Sequence, residues 1–160
     1  MSLIRSTYLL TFLLPFSLSA QLDTATVRVL RNGKSTPVGF ARLKALPPHD
    51  ARIVAHDGNE ATYAGVWMVD VLKLNDDVAA IQKRVQVNTY VSVNAADGYS
   101  ALIALPECDS SFRQRPVLLA WMKDGQPLDT HDGPFQVIVP DDRKHARDVR
   151  QVRLLDVITP

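Results

Sequence analysis

His131 stands between Asp129 and Asp132 in the run Trp121–Pro140, WMKDGQPLDTHDGPFQVIVP, where the side chains are of types that bind protons, anions or metal ions. An imidazole changes charge between about pH 5 and 8, and in its neutral form it ligates zinc or copper. His56, beside Asp57 in IVAHDGNE, offers the same chemistry, so the two histidines are candidate borders of one pocket, with Asp57 or Asp132 as companions. No pair has the short H-x-E-x-x-H or C-x-x-C spacing that specifies a metal site, and no metal ligand is assigned. The reading that stays open beside this one is that both histidines are turn residues bonded to backbone. Glycosidase-type paired carboxylates, a nucleophile elbow and a phosphate-binding glycine loop are not found in the sequence.

The elements around these residues are mostly strands. Asp124-Gly125 and Asp132-Gly133 are expected to supply the positive φ that tight turns need, with Pro127 and Pro134 fixing the chain after each, so the loop is read as ordered. A plain hairpin connection remains the alternative. Upstream, residues 26–30 alternate and end at Asn32-Gly33, a two-residue hairpin signal, with Val38–Phe40 returning. A short helix fits residues 41–46 before Pro47-Pro48, and strands at 52–55 and 61–63 flank a turn at Asp57-Gly58. Met68, Val71, Leu72 and Leu74 share one helical face, which predicts a helix over 67–75. Val85, Val87, Thr89, Val91 and Val93 alternate with period two, predicting a strand that turns at Asp97-Gly98 into 100–105 as a central hairpin. A short helix over 106–112, strands at 117–122 and 135–139, and a helical turn plus strand over 146–156 complete an α+β single domain, mostly β mixed sheet with short helices.

Residues 1–20 have one positive charge at Arg5, an apolar run from Tyr8 to Leu18 and small residues before Gln21, the pattern of a secretory signal peptide. A membrane helix fits less well, because the apolar core is short and holds Pro15. No twin-arginine pair precedes it and no cysteine follows the cleavage site. The expectation is export by the general secretory route to a periplasmic or secreted, soluble destination, leaving residues 21–160 as the domain. Loss of Arg5 takes the formal charge of the 160-residue chain from +1 to 0, so nucleic acid and anionic lipid are not expected partners. Cys108 is the only cysteine and has no intramolecular disulfide partner, so burial as a small apolar residue is expected. Trp67 and Trp121 are read as core aromatics.

The run DGQPLDTHDGPFQVIVP resembles the segment of the sulfite-oxidase-type molybdopterin domain in which a G-x-P-L turn leads to H-G-x-P-x-R-x-V-V-P. Tyr63–Leu72, YAGVWMVDVL, is similar to that family's W-x-G-V-x-L-x-D-x-L helix start, and Ala96–Leu105, ADGYSALIAL, to its tyrosine-bearing strand. The resemblance spans residues 24–158 and implies that Tyr99 faces a pocket. The alternative for Tyr99 is a cross-strand aromatic packed on the sheet. The resemblance also implies that Arg143, Lys144, His145 and Arg147, which follow Pro140, hold a pterin phosphate through charge-assisted bonds. The alternative for these is a solvated mixed-charge segment, since Asp141, Asp142 and Asp148 lie among them.

The family's molybdenum ligand is a cysteine in a C-x-x-N turn. Residues 53–60, IVAHDGNE, occupy that place with His56 near the lost position and no sulfur. Neither alanine nor a neutral imidazole reproduces thiolate donation, so no catalytic residue is assigned. The expected function is a non-catalytic binding module. His56, Tyr99, His131, Arg143, Lys144, His145 and Arg147 would border a cleft for a small anionic ligand, a pterin or a periplasmic protein partner. The alternative is a molybdopterin-dependent oxidoreductase whose metal is coordinated without cysteine.

Overall fold

The computed structural model describes residues 22–54 and 58–160, so the leader expected over residues 1–20 and the candidate His56 lie outside the described residues. Strand β1 (Thr26–Arg31) alternates as the sequence does, burying Val27 and Val29, and turns into β2 (Lys34–Gly39). Asn32 and Gly33 both take positive φ, 50° and 77°, which gives the two strands the twist that antiparallel pairing favours. Helix α1 (Phe40–Lys44) follows and ends before Pro47-Pro48. Strands β3 (His49–Val54) and β4 (Glu60–Trp67) pair antiparallel across the turn at Gly58, whose φ is 81°.

The expected helix over 67–75 is shorter and broken. Helix α2 (Met68–Leu72) buries Met68, Val69, Val71 and Leu72, and α3 (Asp76–Ala79) restarts after Asn75. Asn75 is fully buried: its Oδ1 accepts from the Asp77 backbone N–H at 3.0 Å, and its Nδ2 donates to the carbonyls of Val29 (3.3 Å) and Lys34 (3.2 Å). A helix N-cap is thereby fastened to the first hairpin.

The alternation from Val85 to Val93 is a strand only in its second half. Lys83–Gln86 form a helical turn, α4, and β5 begins at Tyr90. The Thr89 hydroxyl donates to the Val85 carbonyl at 2.9 Å, closing the turn, and Val87 is 58% exposed, so nothing packs on the upstream valines as on a sheet face. β-Branched side chains at alternate positions favour a strand only where neighbours cover them.

β5 (Tyr90–Ala95) pairs with β6 (Ser100–Ala104) around Gly98, and a 3-10 turn, Leu105–Cys108, leads to β7 (Leu118–Lys123). β8 (Gln126–Pro127) and β9 (Gln136–Ile138) both pair with β7. A second 3-10 turn, His145–Arg147, precedes β10 (Val152–Ile158). Two five-stranded sheets result: β2-β1-β10-β5-β6, mixed because β1 and β10 run parallel, and an antiparallel sheet β3-β4-β7-β8 with β9 on β7. The β5–β6 hairpin lies at an edge, and it is β10 that occupies the middle of its sheet.

The main core joins both sheets and α2, with Val29, Met68, Leu72, Leu119, Phe135 and Leu155 inside it. A smaller cluster, including Ala51, Tyr63, Leu118 and Ile138, lies on the second sheet. Trp121 packs edge-on against Phe40 at 5.4 Å, while Trp67 stacks on His49 at 4.4 Å and is only partly buried. Gly65 sits at a bulge between β4 and β7, where a Cβ would collide with the Leu119 carbonyl, so no larger residue fits. The class is the expected one: a small α+β domain, mostly strand, with a mixed sheet and short helices. Among the described residues no helix is long and apolar enough to cross a membrane.

Candidate functional site

A cleft of about 470 Å³ opens where β3, β4, β7 and β9 of one sheet meet the β5–β6 turn of the other and the segment after Pro140. Tyr99 lies in its wall. The turn beneath it is held by the Tyr99 backbone N–H on Asp97 Oδ1 at 2.9 Å, and the Tyr99 hydroxyl donates to the Ala146 carbonyl at 2.5 Å. The ring is thus fixed at both ends while remaining 49% exposed. Tyr63 and Lys123 share the wall, with the Lys123 ammonium 5.6 Å from the centre of the Tyr63 ring. Burial pushes the Tyr63 hydroxyl above the ordinary phenol range, and Lys123 opposes that shift. Lys123 hydrogen-bonds the Tyr63 hydroxyl and forms no close ion pair among the described residues, while its charge helps to hold the Asp129 pKa down.

Gln136, at the start of β9, also lines the cleft. It is 4% exposed, and its Oε1 is buried with no hydrogen-bond partner among the described residues. A buried polar atom left in that state is costly unless something else satisfies it.

His145 lines the same cleft, with Nδ1 2.9 Å from Asp148 Oδ2 and Nε2 2.9 Å from the Val54 carbonyl. Both facing atoms are oxygens, so the two bonds coexist when the ring is protonated on both nitrogens or when Asp148 carries a proton. Asp148 also accepts from the Val139 backbone N–H at 2.8 Å, and burial raises its pKa. His145 therefore joins the end of β3 to the segment after β9.

The other candidates fall elsewhere. Arg143 lines a neighbouring cleft of about 520 Å³ with Arg52, Arg115 and Asp141; the two clefts share Ile53 and His145. In that second cleft Arg115 is already committed, to Asp141 at 3.2 Å and to the Arg52 carbonyl. Lys144 is exposed and lines neither cleft. Arg147 points inward, bonded to Asp142 at 2.7 and 2.6 Å and to Glu107 at 3.0 and 3.2 Å, and these partners raise its pKa further. Four of its five N–H donors are taken by two carboxylates, which leaves no bidentate fork for a phosphate.

The loop round His131 is held by hydrogen bonds of its own. Asp129 Oδ1 accepts from the backbone N–H groups of His131 (2.9 Å) and Asp132 (2.8 Å), and those bonds hold its pKa below the usual carboxylate range. Gly133 does not take the expected positive φ; it precedes a cis bond to Pro134, and a Cβ there would come within 2.9 Å of the Asp129 carbonyl. Space, not dihedral freedom, requires glycine at that position. The His131 side chain is 70% exposed and lines neither cleft, with Nδ1 2.8 Å from Asp132 Oδ1. Arg150 pairs with the same Asp132 oxygen at 3.0 Å and is itself in the cleft wall. Asp129, His131 and Asp132 bring ligand atoms within 4.8 Å of one another, but these atoms are used by the turn and by Arg150.

Lys123 and Gln136 were missed by sequence reasoning, whereas Arg150 closes the basic tail that it read as a candidate. Lys123 and Gln136 bracket the turn-rich loop that did stand out. Their one visible signal was a charged and an amide side chain inside otherwise apolar strands.

Among the described residues the cleft offers oxygen and nitrogen donors only. Cys108, the chain's one cysteine, is buried in the first 3-10 turn, with Sγ 3.9 Å from the Ala104 carbonyl and a thiol pushed up by burial, and it lines neither cleft. The residues present do not fit a molybdenum centre held by thiolate, and Arg147 does not fit a phosphate contact.

Together the two sheets and the short helices make a single small α+β domain, mostly β with a mixed sheet. No family model matches the chain and no curated protein does. Among solved structures it is similar to the sulfane dehydrogenase SoxCD from Paracoccus pantotrophus, with a TM-score of 0.63 and 16% identity, over 88% of this chain and 39% of that one. The chain thus spans well under half of that protein's length, and at this identity the likeness shows the fold alone.

Proposed function

We propose that the chain is a non-catalytic binding module whose cleft takes a small anionic ligand, with a pterin and an anionic group on a partner protein as members of that class. The observation that carries this reading is the ammonium of Lys123, which touches the Tyr63 hydroxyl and forms no close ion pair among the described residues, in the same cleft as the fixed ring of Tyr99. A cleft of this volume suits a small molecule, the ammonium pairs with an anionic group, and the aromatic walls pack against a flat one. Arg143 and Lys144 take no part in it, because they lie outside the cleft. We also propose that the protein works in the periplasm or outside the cell, which rests on the pattern of residues 1–20. The reading as a molybdopterin-dependent oxidoreductase is supported by Tyr99 in the cleft wall and opposed by the donor set.

Calorimetric titration with benzoate and pterin-6-carboxylate tests the module. Binding weakened about tenfold by Lys123→Ala, with a smaller salt dependence and little change in Tm, is the expected result. The double variant Arg143→Ala, Lys144→Ala should bind as the parent does. Binding untouched by Lys123→Ala would overturn the reading.

A further inference from the structure

Gln136 is the one polar side chain buried in the cleft with an unsatisfied oxygen among the described residues, and charge recognition by Lys123 leaves it unexplained. We infer that Gln136 is the specificity-determining residue of the cleft and that its ligand is a small N-acylated amino acid. The ligand's amide N–H donates to Gln136 Oε1, and its carboxylate pairs with Lys123. This rests on the binding-module reading and gives that module a chemical class of ligand.

The strand geometry fits. Gln136 is in register with Ala120 on β7, and the irregularity between Ala120 and Met122 returns Lys123, which pairs with Tyr63, to the same face of the sheet, on the order of 10 Å away. The flexible four-carbon stem of Lys123 covers part of that span. What remains suits a donor and a carboxylate on neighbouring atoms, which is how an acylated amino acid carries them. A simple carboxylate would satisfy Lys123 and leave the Gln136 oxygen buried and bare. An amide meets both needs, since an amide presents a donor and an acceptor to another amide. Tyr99, pinned through its hydroxyl and half exposed, supplies a flat wall for the acyl group.

Sites that hydrogen-bond a ligand reject analogues lacking the bonding group, because their own buried polar atoms then stay unpaired. Hippurate carries the ring, the amide and the carboxylate; hydrocinnamate has the ring and carboxylate without the amide; methyl hippurate has the amide without the charge. Affinities of the three for the full protein are compared with those for Gln136→Leu, with side-chain amide NMR of the parent protein to place the contact.

Hippurate should bind about tenfold more tightly than hydrocinnamate, its addition should shift the Gln136 amide signals, and methyl hippurate should bind weakly. In Gln136→Leu the two acids should bind alike, while Tm stays level or rises because an unsatisfied buried oxygen has gone. A purely structural glutamine would instead lower Tm and leave the preference intact. Equal binding of hippurate and hydrocinnamate to the parent protein would overturn this inference and leave the anion-binding reading standing. Failure of both acids to bind would remove both.

Discussion

Arg147 shows how a residue of the right type can be spent on structure. Its four bonds to Asp142 and Glu107 tie the segment after β9 to the first 3-10 turn, and both carboxylates are mostly buried. Arg147→Ala would leave two carboxylates without their cation, and we expect a loss of about 2 kcal/mol, read as a lower urea midpoint with an unchanged slope. Affinity for anions should not change. The same contacts set a pH dependence. Hydrogen bonding to Arg147 lowers the Asp142 pKa, so its folded value lies below its unfolded one. The stability it contributes is present above the ordinary carboxylate pKa, about 4, and is lost as pH falls through the folded value. Asp148 has the opposite sign: burial raises its pKa, and its contribution declines as pH rises through the folded value. Melting curves of the parent and Asp142→Asn should therefore differ at pH 7 and converge towards pH 2, and a constant gap would refute the assignment.

At the scale of elements, Asn75 does three tasks with one side chain. It caps α3 and donates to two carbonyls of the β1–β2 hairpin, and it is wholly buried. Asn75→Ala should cost about 3 kcal/mol, as a lost cap and two orphaned carbonyls together imply, and loosened amide exchange should appear first at Val29 and Lys34. A change below about 0.5 kcal/mol, the size of an ordinary surface substitution, would contradict this role. The turns were legible because their chemistry is local: Asn32-Gly33, Gly58, Gly98 and Asp124-Gly125 all take left-handed backbone where the sequence placed them. Val85 and Val87 were not, because strand and helical turn differ there only in what covers the side chains. The break at Asn75 likewise depends on carbonyls that lie more than forty positions away in sequence.

At the scale of the whole molecule, the sequence carried the fold class and the order of most elements, but not which strands are neighbours. β10 sits between β1 and β5, parallel to one and antiparallel to the other, and nothing within residues 152–158 specifies those partners. The candidate site divides for the same reason. Tyr99 and His145 meet in one cleft, Arg143 lies in the next, Arg147 is tied up with Asp142 and Glu107, and His131 lines neither cleft. Lys123 and Gln136 become a site only once β7 and β9 pair. The proposed binding module takes its ligand through a cleft whose described residues offer oxygen and nitrogen donors and no thiolate, so it is expected to hold no molybdenum. The most direct test is molybdenum per chain by mass spectrometry, with fluorescence of oxidised pterin, on protein purified from a host that makes molybdopterin. Far less than one molybdenum per folded chain is the result the account predicts. Near-stoichiometric molybdenum together with pterin would contradict it.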